Sequence, residues 1–143
     1  MPATVRIKGE KGVSLNIFVQ RYERDTFENV DDANWLKCEI ELSAGSFKAR
    51  YKASLQTNDF VEFNKQLSEL YIRLKGKAEF NTMEEQLSIV VKGNGQGQMA
   101  ADCVAIDEAG IGNRLQFKIE FDQTHLNNVL HDLDSLIRKY PVR

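Results

Sequence analysis

Apolar and polar residues alternate along most of this chain with a period of two. Val5 and Ile7 alternate with polar neighbours, and the pattern returns at Leu15, Ile17 and Val19. This period is typical of half-buried β-strands, because successive side chains of a strand point to opposite faces. Further strands are predicted over residues 36–42, 47–53, 78–80, 87–91, 99–105 and 115–121. The alternation therefore predicts a fold that is built on β-sheet.

Residues 36–53 predict a β-hairpin, the clearest local feature of the sequence. Gly45 can supply the positive φ that a tight loop requires, so the loop is placed at Ala44-Gly45. The predicted pairs are Leu42–Phe47 and Ile40–Ala49 on the buried face, with Glu41–Lys48 and Glu39–Arg50 outside. Opposite charges directly across a hairpin stabilise it by roughly 0.2–1 kcal/mol per pair. A one-residue slip would bury those charges, so we expect a well-specified register.

Two segments instead carry apolar residues at the spacing of an amphipathic helix. The first lies between residues 57 and 76, and the second between residues 122 and 140. The candidate N-caps are Thr57 or Asn58 and Asp122 or Thr124, with Gly76 and Pro141 as stop signals. The strands are grouped rather than alternating singly with helices. This order predicts an α+β fold, an antiparallel β-sheet with two amphipathic helices packed on one face.

Length and composition limit the classes of protein to which the chain can belong. Its 143 residues have no linker and no internal repeat, which predicts a single domain over residues 1–143. A net charge of −2 provides no basic field for direct nucleic-acid binding. The chain has two cysteines, no signal-peptide pattern and no apolar run of roughly 20 residues. These features predict a cytoplasmic protein that binds no membrane.

Residues that commonly carry catalysis or bind metals do not form a recognisable site in this sequence. His125 and His131 stand six positions apart, which places them on different faces of a helix and argues against joint chelation. Cys38 and Cys103 occupy apolar positions of their strands and are expected in the core. Residues 93–97 lack the Gly-Lys-Ser/Thr ending of a P-loop and predict a hairpin turn. We therefore predict a protein that is not an enzyme and has no cofactor or metal.

The segment from Glu23 to Asp32 departs from the composition of the rest of the chain. It contains five acidic residues and one basic residue, Arg24. The segment is either a solvated loop or a contact surface for a basic partner. Trp35 beside it either packs into the core or anchors that partner. With Glu39 and Glu41 from the outer hairpin face, the candidate partner-binding residues are Glu23, Asp25, Glu28, Asp31, Asp32, Trp35, Glu39 and Glu41.

Short motifs in a fixed order extend over most of the chain. They are Asp32-Ala33-Asn34-Trp35-Leu36, Ala44-Gly45-Ser46-Phe47, Ala53-Ser54-Leu55-Gln56-Thr57 with Asp59-Phe60, Gly76 with Ala78-Glu79-Phe80, Gly112-Asn113-Arg114-Leu115 with Phe117, Asp122-Gln123-Thr124 with Leu126, and Tyr140-Pro141-Val142. In their order and spacing from about residue 31 to residue 142, these motifs resemble the WapI-type family of small bacterial immunity proteins.

The resemblance implies a cytosolic protein that binds the toxic C-terminal domain of a large secreted polymorphic toxin and blocks it. A nuclease is one candidate for that toxic domain, and the resemblance supplies no binding residues. A small-molecule-binding domain, with its ligand between sheet and helices, is the alternative, and an apolar cavity with convergent polar groups would favour it. An enzyme that uses scattered carboxylates or His125 is the third hypothesis, favoured by shifted pKa values clustered in a cleft.

Overall fold

The computed structural model describes residues 3–24 and 30–143, except for the side chains of residues 30 and 31. Within these residues the chain forms eight strands, a short 3-10 turn at Glu10–Gly12 and three helices. The strands are β1 (Ala3–Lys8), β2 (Ser14–Tyr22), β3 (Trp35–Ala44), β4 (Phe47–Gln56), β5 (Lys75–Phe80), β6 (Leu87–Asn94), β7 (Gln98–Ile106) and β8 (Arg114–Asp122). The helices are α1 (Val30–Ala33), α2 (Thr57–Arg73) and α3 (Gln123–Lys139).

The strands form two antiparallel four-stranded sheets, sheet A in the order β1-β2-β3-β4 and sheet B in the order β5-β6-β7-β8. The α+β class with antiparallel strands is thus confirmed. The predicted single sheet with both helices on one face is not what the structure has. Period-two alternation specifies one buried face for each strand but does not say which strands share a sheet. Helix α2 separates two sets of sequentially paired strands, and each set pairs within itself.

One hydrophobic core joins both sheets and the two long helices. The inner strand faces contribute fully buried side chains such as Leu15, Ile40 and Ile89, and the helices contribute others such as Phe63 and Leu133. Helix α3 packs along β1, helix α2 packs along β5, and the two helices pack on each other. The last helix therefore closes the fold against the first strand.

Each long helix also covers a sheet edge, where unpaired backbone groups would otherwise attract another strand. In sheet B the N–H of Glu79 in β5 donates to Oε1 of Gln66 at 2.8 Å. In sheet A the N–H of Arg6 in β1 donates to Oδ2 of Asp132 at 3.1 Å. Gln66 and Asp132 hold the same position, the tenth residue, of α2 and α3. The fold is thus a structural repeat of four strands and a helix, although the sequence shows no repeat.

The β3–β4 hairpin forms as predicted, but its register differs from the predicted one. The loop is Gly45-Ser46, and Ala44 pairs with Phe47. Gly45 has a φ of +62° and stands at the first loop position, where a type II′ turn needs positive φ. The pairs shift by two residues along β4, which keeps the inward or outward direction of each side chain. Phe47 was nevertheless wrongly predicted as buried, because it pairs with Ala44 at the end of the hairpin and is 64% exposed. The observed pairs are Leu42–Ala49, Ile40–Tyr51, Glu41–Arg50 and Glu39–Lys52.

Helix α2 begins and ends at different residues from those predicted. Its N-cap is Gln56, not residue 57 or 58, and Gln56 forms a reciprocal capping box with Asp59. The Thr57 hydroxyl, one of the predicted caps, instead donates to Oδ1 of Asn34 at 3.0 Å. Leu74 adopts a φ of +64° and ends the helix before residue 76 is reached.

Candidate partner-binding surface

The outer face of sheet A, formed by β2, β3 and β4, carries Glu39 and Glu41. Both alternate with buried residues of β3 and therefore project outward. Arg50 of β4 contacts the carboxylate of Glu39 and donates to Oε2 of Glu41 at 2.8 Å. The hydrogen bond from Arg50 lowers the pKa of Glu39. The two carboxylates share this one guanidinium, and Lys52 stands directly opposite Glu39 on β4.

The other acidic candidates belong to the segment between β2 and β3. Asp25 and Glu28 lie outside the described residues, and so does the side chain of Asp31. The carboxylate of Glu23, just after β2, accepts a hydrogen bond from the Ser54 hydroxyl of β4 at 2.5 Å. Asp32 lies in the short helix α1 and is partly buried. Of this set, the structure thus brings Glu23 against the outer face of sheet A.

Arg143 joins the two ends of the acidic segment. Its Nη2 donates to the carbonyl of Arg24 at 2.7 Å and to the carbonyl of Ala33 at 2.9 Å. Its Nε also donates to the carbonyl of Ala33, at 3.0 Å. The backbone N–H of Arg143 donates to Oδ1 of Asn34 at 2.8 Å, and Nδ2 of Asn34 donates back to the carbonyl of Arg143. One guanidinium therefore binds both Arg24, near the start of the acidic segment, and Ala33, just after its end.

Two tyrosines support Arg143 in this position. The guanidinium lies 3.7 Å from the ring centroid of Tyr22, and Tyr22 meets Tyr140 edge-on with centroids 5.4 Å apart. The Tyr22 hydroxyl donates to the carbonyl of Pro141 at 2.6 Å, and the Tyr140 hydroxyl donates to the carbonyl of Gln20 at 3.0 Å. Burial raises the pKa of both tyrosine hydroxyls. Sequence reasoning missed this cluster because no local pattern links residues so far apart.

Trp35 begins β3 and lies beside the acidic segment. It pairs with Gln56 of β4, and its carbonyl accepts from the N–H of Glu23 at 2.9 Å. The side chain is half-buried, and it is not part of the hydrophobic core that the described residues form. Of the two predicted alternatives for Trp35, core packing is therefore the one that the structure does not support.

A cleft of about 350 Å³ opens on the same face, where the acidic segment leaves β2. Three of its lining side chains are the cations Arg21, Lys37 and Lys52, and the acid among them is Glu23. Arg21 and Lys37 are directly opposite each other on β2 and β3, beyond a bulge in β2 that shifts the register. The sequence does not predict this cluster, because the bulge decides which residues of β2 face outward.

The residues considered for catalysis and metal binding occupy separate places. Nε2 of His125 accepts the N–H of Lys8 at 2.8 Å, and the N–H of His125 donates to Asp122, which confirms Asp122 as the predicted cap of α3. Cys38 and Cys103 are free and buried, as predicted. Burial raises the pKa of both thiols, that of Cys103 to about 12. Within the described part of the chain, no three His, Cys, Asp or Glu side chains are grouped to hold a metal ion.

The clefts of the described surface bear on the small-molecule alternative. Five of them have volumes of about 190 to 480 Å³. Small-molecule sites are usually concave, mostly apolar cavities that enclose most of the ligand. These five clefts are open, and charged side chains line each of them.

Of the helices in residues 3–24 and 30–143, none has the length and apolar character to span a bilayer.

Comparison with known proteins adds a family and a fold. A model of the immunity protein WapI-like family matches residues 6–141. No curated protein matches the chain. Among solved structures, Trypanosoma brucei MRP1/MRP2 is similar at a TM-score of 0.55 and 12% identity, over 97% of this chain and 86% of that one. The plant transcriptional regulator PBF-2 is similar at a TM-score of 0.49 and 11% identity, over 98% and 82%. At such identity the first of these likenesses shows a shared fold only.

Proposed function

The chain belongs to the WapI-like immunity protein family, and from this premise we propose that it binds the toxic C-terminal domain of a secreted toxin and blocks it. The protein acts by covering the toxin, without catalysing a reaction. We place this encounter in the cytoplasm, where a toxin of this kind would act on the cell.

We locate the contact at the acidic segment from Glu23 to Asp32 and at Trp35 beside it. The observation that carries this location is the bridge of Arg143 between the carbonyls of Arg24 and Ala33. A segment whose ends are fixed loses less conformational entropy when a partner binds, and this loss is a major cost of association. The half-buried Trp35 supplies an aromatic anchor of the type enriched at interface hot spots.

Charge complementarity explains why such a segment would recognise a toxin. A nuclease that attracts phosphate presents a basic site, and we take a nuclease as the first toxin class to test. Acidic residues opposite a basic site raise the association rate and exclude wrong partners. Glu39 and Glu41 contribute a weaker, charge-compensated rim, because Arg50 is bound to both. The acidic segment therefore supplies the charge that attracts the basic toxin, and Glu39 and Glu41 help to orient the toxin on the surface.

The test begins with a pull-down from lysate of the source organism, with the tagged chain as bait and mass spectrometry as readout. We expect recovery of a large secreted protein through its C-terminal domain. If the toxin is shown to be expressed and nothing is recovered, the immunity function is refuted and small-molecule binding becomes the leading hypothesis.

With the toxin domain in hand, charge reversal tests the location. The variant D25K/E28K/D31K/D32K should weaken binding by at least about 100-fold, because like charges would then face the basic site. The matched control E10K/E84K/E85K/E108K changes the net charge equally at four exposed acids elsewhere. Affinities of the control and the wild type should agree closely. Equal affinity of the two variants would place the contact elsewhere on the molecule.

A further inference from the structure

The cleft beside the acidic segment has the opposite charge from the segment itself. Arg21, Lys37 and Lys52 contribute three positive charges to its lining, and Glu23 contributes one negative charge. The carboxylate of Glu23 is engaged with the hydroxyl of Ser54. The basic cleft thus lies where the acidic segment begins, with Glu23 in its lining.

The backbone register forces two of these cations together. Arg21 and Lys37 are direct cross-strand partners, and like charges in that position destabilise a sheet. Lys37 is also half-buried, so water screens its charge less than that of a fully exposed lysine. Among the described residues, none of Arg21, Lys37 and Lys52 forms an ion pair within 4.0 Å.

Sheet B contains a comparison for this arrangement. Lys77 and Lys92 are also direct cross-strand partners, on β5 and β6. There the ammonium of Lys77 is paired with the carboxylate of Glu79 at 3.0 Å. The chain thus supplies a counter-charge for the like-charge pair in sheet B. For the pair in sheet A, the described residues supply none within ion-pair distance.

We infer that the cleft lined by Arg21, Lys37 and Lys52 is a carboxylate-binding site that takes an acidic side chain of the toxin partner. This inference rests on the proposed function and adds a second, oppositely charged contact to it. A guanidinium can bind a carboxylate through two parallel hydrogen bonds, and the lysine ammonium groups contribute further charge. The carboxylate supplies the ion-pair partner that Arg21 and Lys37 do not have among the described residues, so binding relieves the repulsion between them.

A protein carboxylate fits this cleft better than a nucleic-acid phosphate does. A phosphate backbone carries closely spaced negative charges and is held by an extended basic surface. Here three cations line one cleft, Arg50 farther along β4 is paired with Glu39 and Glu41, and the whole chain carries a net charge of −2. Neighbouring patches of opposite sign instead suit a partner of mixed charge, for which they fix the docking orientation.

The first experiment needs no toxin and follows the backbone amides of the full chain by NMR during titration with sodium acetate. Saturable shifts are expected at residues 21, 37, 52 and 54. They should disappear in R21Q/K37Q and persist in the matched control K77Q/K92Q. Urea unfolding without acetate provides a second readout, in which R21Q should be more stable than the wild type because the repulsion is gone. Absent or unsaturable shifts, or shifts retained in R21Q/K37Q, would overturn the inference whether or not a toxin is found.

The second experiment measures the toxin domain recovered by the pull-down against the same variants. K37E should weaken its binding by at least about tenfold, because a carboxylate in the cleft would then meet a like charge. K92E, the control in sheet B, should bind as the wild type does. If K37E binds like the wild type although the acetate shifts are present, the toxin does not use the site and the inference is overturned. It is equally overturned if a single-stranded oligonucleotide shifts the same amides at far lower concentration than acetate, because the occupant is then a nucleic acid.

Discussion

The backbone N–H of Lys8 donates to Nε2 of His125 across 2.8 Å, so the end of the first strand is bonded to the first turn of the last helix. Because Nε2 accepts this bond, the imidazole must be neutral with its proton on Nδ1. Partial burial lowers the pKa of His125, an effect that the charges of Asp122 and Asp132 oppose and that of Lys8 supports. His125 therefore cannot be protonated on Nε2 and accept the hydrogen bond from Lys8 at the same time.

Stability should fall on mild acidification because of this histidine. The folded-state pKa lies below the unfolded value of about 6.5, so the contribution of His125 is complete above about pH 6.5. It is lost as the pH falls through the folded-state pKa. His125→Gln replaces the nitrogen acceptor with an amide oxygen that does not titrate, so its free energy of unfolding should fall less than that of the wild type between about pH 7.5 and pH 5. Urea unfolding measures both, and His131→Gln, at an exposed position of the same helix, should follow the wild type.

Asp59 predicts a pH effect of the opposite sign. Burial raises the pKa of this carboxyl to about 6, although it accepts the N–H of Gln56 at 2.9 Å in the capping box of α2. A folded-state pKa above the unfolded value means that the native state holds the proton more tightly, so stability is lost as the pH rises. Relative to Asp59→Asn, the wild type should lose stability between about pH 4 and pH 6.5 and then stay level. A parallel series for Glu62→Gln, on the exposed side of α2, should show no such trend.

The structural repeat makes Gln66 a test of how the sheet edges are protected. Gln66→Leu removes the acceptor for the N–H of Glu79, and a backbone donor left unsatisfied costs about 1–3 kcal/mol. Gln66→Glu should retain most of the stability, because the equivalent residue Asp132 accepts the N–H of Arg6 with a carboxylate. Equilibrium urea unfolding of both variants checks the prediction. A Leu variant as stable as the Glu variant would show that the helix covers the edge by packing alone.

The local elements of this fold could be predicted from the sequence, because each depends on neighbours in the chain. Alternation located the strands, and helical spacing located α2 and α3. The β3–β4 register was wrong because the position of Gly45 within the loop depends on turn type, which a glycine alone does not specify. The division into two sheets was missed for a related reason, since strand faces do not specify strand partners.

The candidate surface could be predicted only in part, and for a physical reason. The sequence shows a run of acidic residues, and the alternation along β3 shows that Glu39 and Glu41 lie on its outer face. The cationic cleft depends on the bulge that brings Arg21 opposite Lys37, and a bulge leaves no clear mark in an alternating pattern. The bridge from Arg143 to Arg24 spans 119 positions and depends on how α3 packs along β1.

A variant of Arg143 can distinguish the effect of charge from the effect of positioning in the proposed contact. Arg143→Gln makes the surface more acidic, so if charge alone governed recognition, a basic toxin would bind the variant more tightly. If the fixed ends of the acidic segment matter, the variant should bind at least about tenfold more weakly, because ordering the segment would then oppose association. We expect the second result, measured by calorimetry with the toxin domain. Arg138→Gln is the matched control, since the hydrogen bond that its guanidinium forms within the described part of the chain stays in its own helix, to the carbonyl of Asp134. Equal or tighter binding by Arg143→Gln, with the control unchanged, would show that the bridge has no part in recognition.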